Sequence, residues 1–545
     1  MLKKRYVYNL GSGVVFFILM AMFLLSRGDL SFAANGIDRL VLELNALIEE
    51  HERQGKDTKN ARELDIKSRG AFQSGRFEEA EKLLQKAIDT LKGNEALPSS
   101  KSSRGTLNTT TNKVKAEKAV RAEASALEEI KKKFVETPFA VFGPYEYTMD
   151  TKTISRSTVN QYLKELGVQW VQEMPFDVDR LPINMNICSR VGREGGFEPP
   201  SGELASYEKA LMASVNELKT KVKCYEIDTE ESGLTPPNGW KGYPKEYVEF
   251  LKVSYGAIKA ECPECLVILG GLPGVGVNLT KNSDEAEFLA DMLKYGASNY
   301  FDVFSFKQHH YNDTDYQELG NKLNVYSSVF LQYGINLSDM PIMVETAMHD
   351  GEPSYGENSA LSWLKLKKQT EKEQAAALVK VYVYGAYTGI DKVFWNQIVE
   401  RHNFGGDEGN PFNFYGLVNN PANKDKASHK KLAYYTMKKL VEILDGVDWK
   451  NIEMIKYRDD CLMFKFDKSG KKVWVAWYDG GDEVDRVEML GLTATDFKVT
   501  YVIPDYSSGK DVKDYDNSFK TLLLKANAGS ITVEVKDIPA IIEEQ

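Results

Sequence analysis

Two short stretches place carboxylates where apolar runs end. The first, from Val222 to Gly233, opens with valine, cysteine, tyrosine and isoleucine, then sets Glu226, Asp228, Glu230 and Glu231 within six positions. Side chains alternate along an extended chain, so Glu226, Asp228 and Glu230 are expected on one face and Glu231 on the other. The second, Pro341-Ile-Met-Val-Glu345-Thr346, is an apolar run closed by a single acid. Carboxyls brought together can take different roles. Repulsion between like charges raises the proton affinity of one, which can then act as an acid, while the other stays ionised.

The elements that would position such a pair follow from the spacing of apolar residues. Runs at 139–142, 170–172, 183–187, 222–227, 266–269, 301–306, 342–344 and 392–395 read as strands, and helical spacing separates most of them, as at 158–166, 204–218, 244–260 and 372–387. Eight strands alternating with helices predict an α/β protein built on a (β/α)8 (TIM) barrel, whose active face lies at the C-terminal strand ends. Glu230 then ends strand four and Glu345 strand seven, and their separation of 115 positions accommodates the intervening βα units. A doubly wound open sheet is the competing topology. It would carry a glycine-rich phosphate loop after its first strand, and Phe142-Gly-Pro-Tyr-Glu146 is not one. The glycines at 270–276 are interrupted by Pro273 and read as a strand-end loop.

Other regions flank the barrel, which is expected over 136–446 with a closing helix at 429–444. Short strands at 461–466, 473–477, 487–490, 497–502, 521–525 and 531–535 predict a C-terminal β-sandwich over 447–545. Ahead of the barrel, 35–92 has helical periodicity, and 70–87 resembles the turn of a tetratricopeptide-type hairpin. A repeat array needs about three such units, so one unit reads as an N-terminal helical hairpin that spaces the barrel or docks a protein partner. The segment 93–135 is a Ser/Thr/Lys/Gly linker followed by a charged helix. Residues 1–34 run from Lys3-Lys4-Arg5 through the apolar 14–25 to Ser31-Phe-Ala33-Ala34, the order of a secretory signal peptide. Cleaved or retained as an anchor through residues 7–25, it predicts a secreted or cell-envelope protein.

A chain of 545 residues, 42% hydrophobic and 27% charged, is globular and long enough for two or three domains. Its net charge of −10 and the lack of a basic run beyond the N-terminus argue against nucleic acid as a partner. Of five cysteines, Cys262 and Cys265 suit a local disulfide, whereas Cys188 and Cys224 lie among apolar residues and read as core. His349 and Asp350, just past strand seven, have no evident third ligand, so neither a metal nor another cofactor is expected.

At this point the sequence resembles the clan A (4/7 superfamily) glycoside hydrolases. Tyr225-Glu-Ile-Asp-Thr-Glu230 is similar to the clan's strand-four pattern "EIWNEP", and Pro341-Ile-Met-Val-Glu345 to its strand-seven pattern "PIWITE". Phe301-Asp-Val-Phe-Ser305 followed by His309-His-Tyr311 resembles the strand-six pattern, lengthened by two residues before the histidine. Val393-Phe-Trp395 resembles the strand-eight segment that lays a tryptophan under the sugar. Lys472-Val-Trp-Val-Ala-Trp477 and Asp537-Ile-Pro-Ala-Ile-Ile542 resemble the appended sandwich, and the likeness runs over about 137–543.

The resemblance implies hydrolysis of a β-linked oligo- or polysaccharide by the retaining route, with Glu230 as acid/base and Glu345 as nucleophile. Such a pair stands about 5–5.5 Å apart across the scissile bond. Glu226 would be an inward neighbour that positions the acid, and His309, Tyr311 and Trp395 would contact sugar. Two positions depart from the clan's pattern: Thr229 stands where an asparagine usually binds the 2-hydroxyl, and Gln172 where an arginine often orients the nucleophile. Without that arginine Glu345 is expected to be held less firmly. A barrel that binds glycan without cleaving it, and an envelope scaffold acting through the helical hairpin, remain the alternative readings.

Overall fold

The computed structural model describes residues 125–545 apart from 144–153, 193–196, 230–238, 274–282, 311–313, 354–365, 403–407, 424–427, 481–484 and positions 183, 352 and 459. Ahead of these it describes the helix Phe77–Leu91 with Lys92 and positions 44, 47, 51, 56, 61 and 64. The expected leader at 1–34 and most of the helical hairpin and linker lie outside the described residues. The chain divides into two compact units, Met1–Thr109 and Thr110–Gln545. In the first, Leu84, Ala87, Ile88 and Leu91 share one face of their helix and are buried with Leu44 and Ala61. No helix among the described residues is long and apolar enough to cross a membrane.

The second unit contains eight parallel strands: β1 (Phe139–Phe142), β2 (Trp170–Glu173), β3 (Asn186–Val191), β4 (Val222–Thr229), β5 (Leu266–Gly271), β6 (Phe304–His310), β7 (Ile342–Met348) and β8 (Lys392–Asn396). Their order is β5-β4-β3-β2-β1-β8-β7-β6, and bridges from Ile268 to Val303 and from Leu272 to Phe306 join the two outer strands into a (β/α)8 barrel. The helices between them have ends that the sequence encodes. Ser155 accepts a hydrogen bond from the Thr158 amide ahead of Arg156–Leu166, and Gly167, at φ 71°, stops that helix. Thr370 and Glu373 form a reciprocal capping box on Glu371–Tyr387.

Alternation along the strands sorts the barrel interior into layers. Ala140, Trp170, Cys188, Cys224, Met343 and Phe394 belong to one buried apolar cluster. Phe134, from the helix at 125–135, completes it and meets Trp170 edge-on at 5.2 Å. This helix closes the floor of the barrel.

Three expectations are corrected. Strands three, six, seven and eight run past their expected ends, to Val191, His310, Met348 and Asn396. The apolar signal stops where inward side chains become polar, but the ladder continues, pairing His310 with Met348 and Val191 with Ile227. Cys188 and Cys224 are register partners on β3 and β4 and form a disulfide, as do Cys262 and Cys265; Cys461 is free and buried. The C-terminal region has two strands beyond the expected six, β9 (Glu453–Arg458) and β16 (Ala540–Glu544), whose acidic and basic residues dilute the apolar pattern.

β9 and β16 join β10 (Cys461–Lys468), β11 (Lys471–Tyr478), β13 (Asp496–Tyr501) and β14 (Thr521–Lys525) in a six-stranded antiparallel sheet. β12 (Asp485–Met489) and β15 (Ile531–Val535) form a second, two-stranded sheet, and Trp474, Met489, Phe497 and Val533 share the core between the two. This sandwich docks on the barrel through Lys380 Nζ to Asp479 at 2.8 Å and through Trp477 Nε1, which donates to the Tyr316 hydroxyl at 3.0 Å.

Candidate active site

One strand step above the apolar layer, the inward positions turn polar. On β2, Trp170 is followed two residues later by Gln172; on β3, Cys188 by Arg190; on β4, Cys224 by Glu226. On β6, Ser305 is followed by Lys307; on β7, Met343 by Glu345; and on β8, Phe394 by Asn396. The same alternation that builds the floor thus brings six polar side chains to the C-terminal end of the barrel, where catalytic groups of this architecture sit.

Their contacts form one network centred on Arg190. Its Nε donates to Glu226 Oε2 at 2.8 Å and its Nη2 to Glu345 Oε2 at 3.0 Å, so a single guanidinium is shared by both carboxylates. Its plane also lies 4.6 Å from the centre of the Phe142 ring. Lys307 Nζ stands 3.1 Å from Glu345 Oε2, and Asn396 Nδ2 donates to Glu345 Oε1 at 2.8 Å. Glu226 further accepts from the Gly271 amide at 3.1 Å and from Gln172 Nε2. The two carboxylate side chains are 0% and 3% exposed, those of Lys307 and Arg190 6% and 12%, so water screens these charges little.

The electrostatics of Glu345 follow from this arrangement. Burial pushes its carboxyl upward, but the charges of Lys307, Arg190 and His309 and the hydrogen bond from Lys307 outweigh it. They hold the group down to about 2, well below its ordinary 4.5. Glu345 is therefore a carboxylate at any pH near neutrality.

Gln172 does stand at the end of β2, yet Glu345 is not loosely held: the arginine comes from β3, one strand over. Arg190 was hidden because its strand was expected to end at residue 187. Lys307 and Asn396 likewise lie just beyond the expected ends of strands six and eight. The signal that finds all three is the two-residue step continued past the last apolar residue.

The remaining sequence candidates are distributed as follows. Glu230 and Tyr311 lie outside the described residues. Thr229 ends β4, half-buried. Asp228 does not share a face with Glu226. It adopts a left-handed φ of 61°, which breaks the alternation, and its Oδ2 accepts from Trp240 Nε1 at 2.9 Å. Trp240 packs on Tyr247 and Phe250 of the helix Pro244–Glu261, in the shell outside the barrel. His309 is buried, stacked on Tyr415 at 5.3 Å and edge-on to Phe412 at 5.4 Å. Trp395, expected as a platform under the sugar, is 0% exposed and donates from Nε1 to the Tyr415 carbonyl at 3.3 Å. It faces outward from β8 because its neighbours Phe394 and Asn396 face in, so it anchors the segment that carries Tyr415. Asp350 is engaged by Lys431 Nζ at 2.6 Å, which also meets Glu400 at 2.5 Å. Burial alone would lower the Lys431 ammonium, but the two carboxylates raise it and keep it charged.

A closed parallel barrel with an appended β-sandwich is a fold found among solved glycoside hydrolases. Among solved structures, the chain is similar to a 4-O-alpha-L-rhamnosyl-beta-D-glucuronidase from Fusarium oxysporum 12S, with a TM-score of 0.50 at 11% identity over 75% of this chain and 96% of that one. It is also similar to a monomeric beta-xylosidase from Caulobacter crescentus CB15, with a TM-score of 0.47 at 13% identity over 75% and 95%. A family 51 alpha-L-arabinofuranosidase from Bifidobacterium longum gives 0.46 at 11% identity over 74% and 92%. At these identities the likeness is one of fold alone. No protein-family model matches the sequence, and no curated protein matches it.

Proposed function

We propose that this protein is an exported retaining glycoside hydrolase acting on a β-linked glycan, with Glu345 as nucleophile and Glu230 as acid/base. The observation that carries the reading is the ionised Glu345 at the C-terminal end of β7, fixed on both oxygens by Arg190, Lys307 and Asn396. In the first step Glu345 Oε1, which accepts one hydrogen bond from Asn396, attacks the anomeric carbon. The bond to the leaving oxygen breaks and that oxygen takes the proton of Glu230. In the second, water gives its proton to Glu230 and its oxygen to the anomeric carbon, and Glu345 leaves as a carboxylate. Two disulfides, Cys188–Cys224 and Cys262–Cys265, support an oxidising, extracytoplasmic compartment.

The test is a panel of aryl β-glycosides. Glu345→Gln is expected to lower kcat/KM by roughly 10⁴-fold or more, the scale of removing a covalent nucleophile. Glu345→Gly supplied with azide should form the α-glycosyl azide. Unchanged turnover in Glu345→Gln would remove the proposed nucleophile. Binding of oligosaccharide by the wild type, with no product on long incubation, would select a glycan-binding barrel instead.

A further inference from the structure

We infer that the sugar this barrel cleaves carries an anionic group, a carboxylate or a sulfate ester, which Lys307 receives. The inference rests on Glu345 being the nucleophile. Its basis is the sign of the charges around that residue. Arg190 and Lys307 both bond the same oxygen, Glu345 Oε2, at 3.0 and 3.1 Å. Arg190 is matched by Glu226 at 2.8 Å, so the four side chains hold two positive and two negative charges.

Glycosyl transfer upsets that balance locally. As the transition state forms, positive charge grows on the anomeric carbon and the ring oxygen. At the same time the negative charge of Glu345 is consumed in the new ester bond. Taken together, the nucleophile and the glycosyl group pass from one negative charge to none, beside two cations that little water reaches. In the retaining route the acid, here Glu230, takes up negative charge as it gives its proton to the leaving oxygen, across the scissile bond from the nucleophile. A neutral sugar therefore meets repulsion that grows along the reaction. A sugar with its own negative group beside Lys307 cancels it, and does so most fully in the transition state, where it accelerates the reaction.

Lys307 is a built feature rather than a wandering surface chain. Its side chain is 6% exposed, and its backbone amide donates to the Leu272 carbonyl at 2.8 Å. Its stem runs against Gly271, where an added Cβ would lie 3.3 Å from Lys307 Cγ and 3.2 Å from Ser305 Oγ. The absent side chain at Gly271 thus gives the lysine its course into the mouth. Beside it, the buried Ser305 Oγ, Gln172 Oε1 and Asn396 Oδ1 have no hydrogen-bond partner among the described residues, which suits a ligand rich in hydroxyl donors.

The experiment compares kcat/KM for the 4-nitrophenyl β-D-glucuronide, the 6-sulfated β-D-glucoside and the plain β-D-glucoside, in the wild type, Lys307→Met and Lys307→Arg. The wild type is expected to favour one of the charged substrates by on the order of 100-fold, and which one it favours distinguishes carboxylate from sulfate. Lys307→Met should bring the ratio close to unity, whatever its overall rate, and Lys307→Arg should keep part of it. Equal or better use of the neutral glucoside by the wild type, or a ratio unchanged in Lys307→Met, overturns this inference and leaves the hydrolase reading standing. No turnover and no calorimetric binding of any of the three overturns the hydrolase reading, and this inference with it.

Discussion

The floor of the barrel is lined by Trp170, Cys188, Cys224, Met343 and Phe394, and two residues further along the same five strands stand Gln172, Arg190, Glu226, Glu345 and Asn396. Backbone, twist and register are shared, so the difference lies in the side chains alone. The lower set removes apolar surface from water and packs it at the density of a protein interior. The upper set does the reverse: it takes three charges out of water, a transfer whose desolvation cost close ion pairing offsets only when the geometry is good. Apolar residues of similar volume would serve stability at least as well. Under the proposed function the charged layer is there for chemistry, and stability and function are then separated by a single strand step.

That separation can be broken from below. Trp170→Ala removes the largest side chain of the floor and its edge-on contact with Phe134, and is expected to cost about 3–5 kcal/mol in urea unfolding. Turnover per folded molecule should be little changed. A variant that kept its stability but lost activity would reverse the roles assigned to the two layers.

From above, Arg190→Met leaves Glu226 and Glu345 without their shared cation and should lower stability at pH 7 by about 3 kcal/mol. The pH dependence sharpens the point. Glu345 titrates near 2 in the folded chain against an ordinary 4.5, so its stabilising contribution is complete above 4.5 and is lost as pH falls towards 2. In Arg190→Met part of that depression disappears. The variant should therefore lose less stability than the wild type between pH 5 and pH 2.5, by on the order of 1 kcal/mol. Parallel curves for the two proteins would show that Arg190 does not hold Glu345.

These layers also explain what the sequence disclosed and what it concealed. The cores of the eight strands are short apolar runs, the segments between most of them have helical spacing, and the fold was legible from both. Glu345 was legible because it follows an apolar run directly. Arg190, Lys307 and Asn396 were not, because each lies where polar residues continue a strand that hydrophobicity alone would end. Their partners are distant in sequence, Arg190 and Glu345 being 155 positions apart, so no local pattern joins them. The Cys188–Cys224 disulfide depends on the same register, since only a β3 that reaches Val191 sets the two cysteines side by side. Asp228 misled for another reason: a left-handed residue inside an acidic run leaves no trace in periodicity. Trp395 shows the converse: its motif matches, but its parity on β8 turns it away from the barrel interior that Phe394 and Asn396 face.

The role proposed for Glu345 is to bond to the sugar. It is tested most directly by incubating the protein with 2-deoxy-2-fluoro-β-D-glucuronyl and -glucosyl fluorides and locating the adduct by mass spectrometry. The predicted result is a gain of one fluoroglycosyl group, carried by the peptide containing Glu345 and lost when Glu345→Gln is used. Hydrolysis of β-glycosides by a protein that is labelled at another residue, or never labelled, would contradict it.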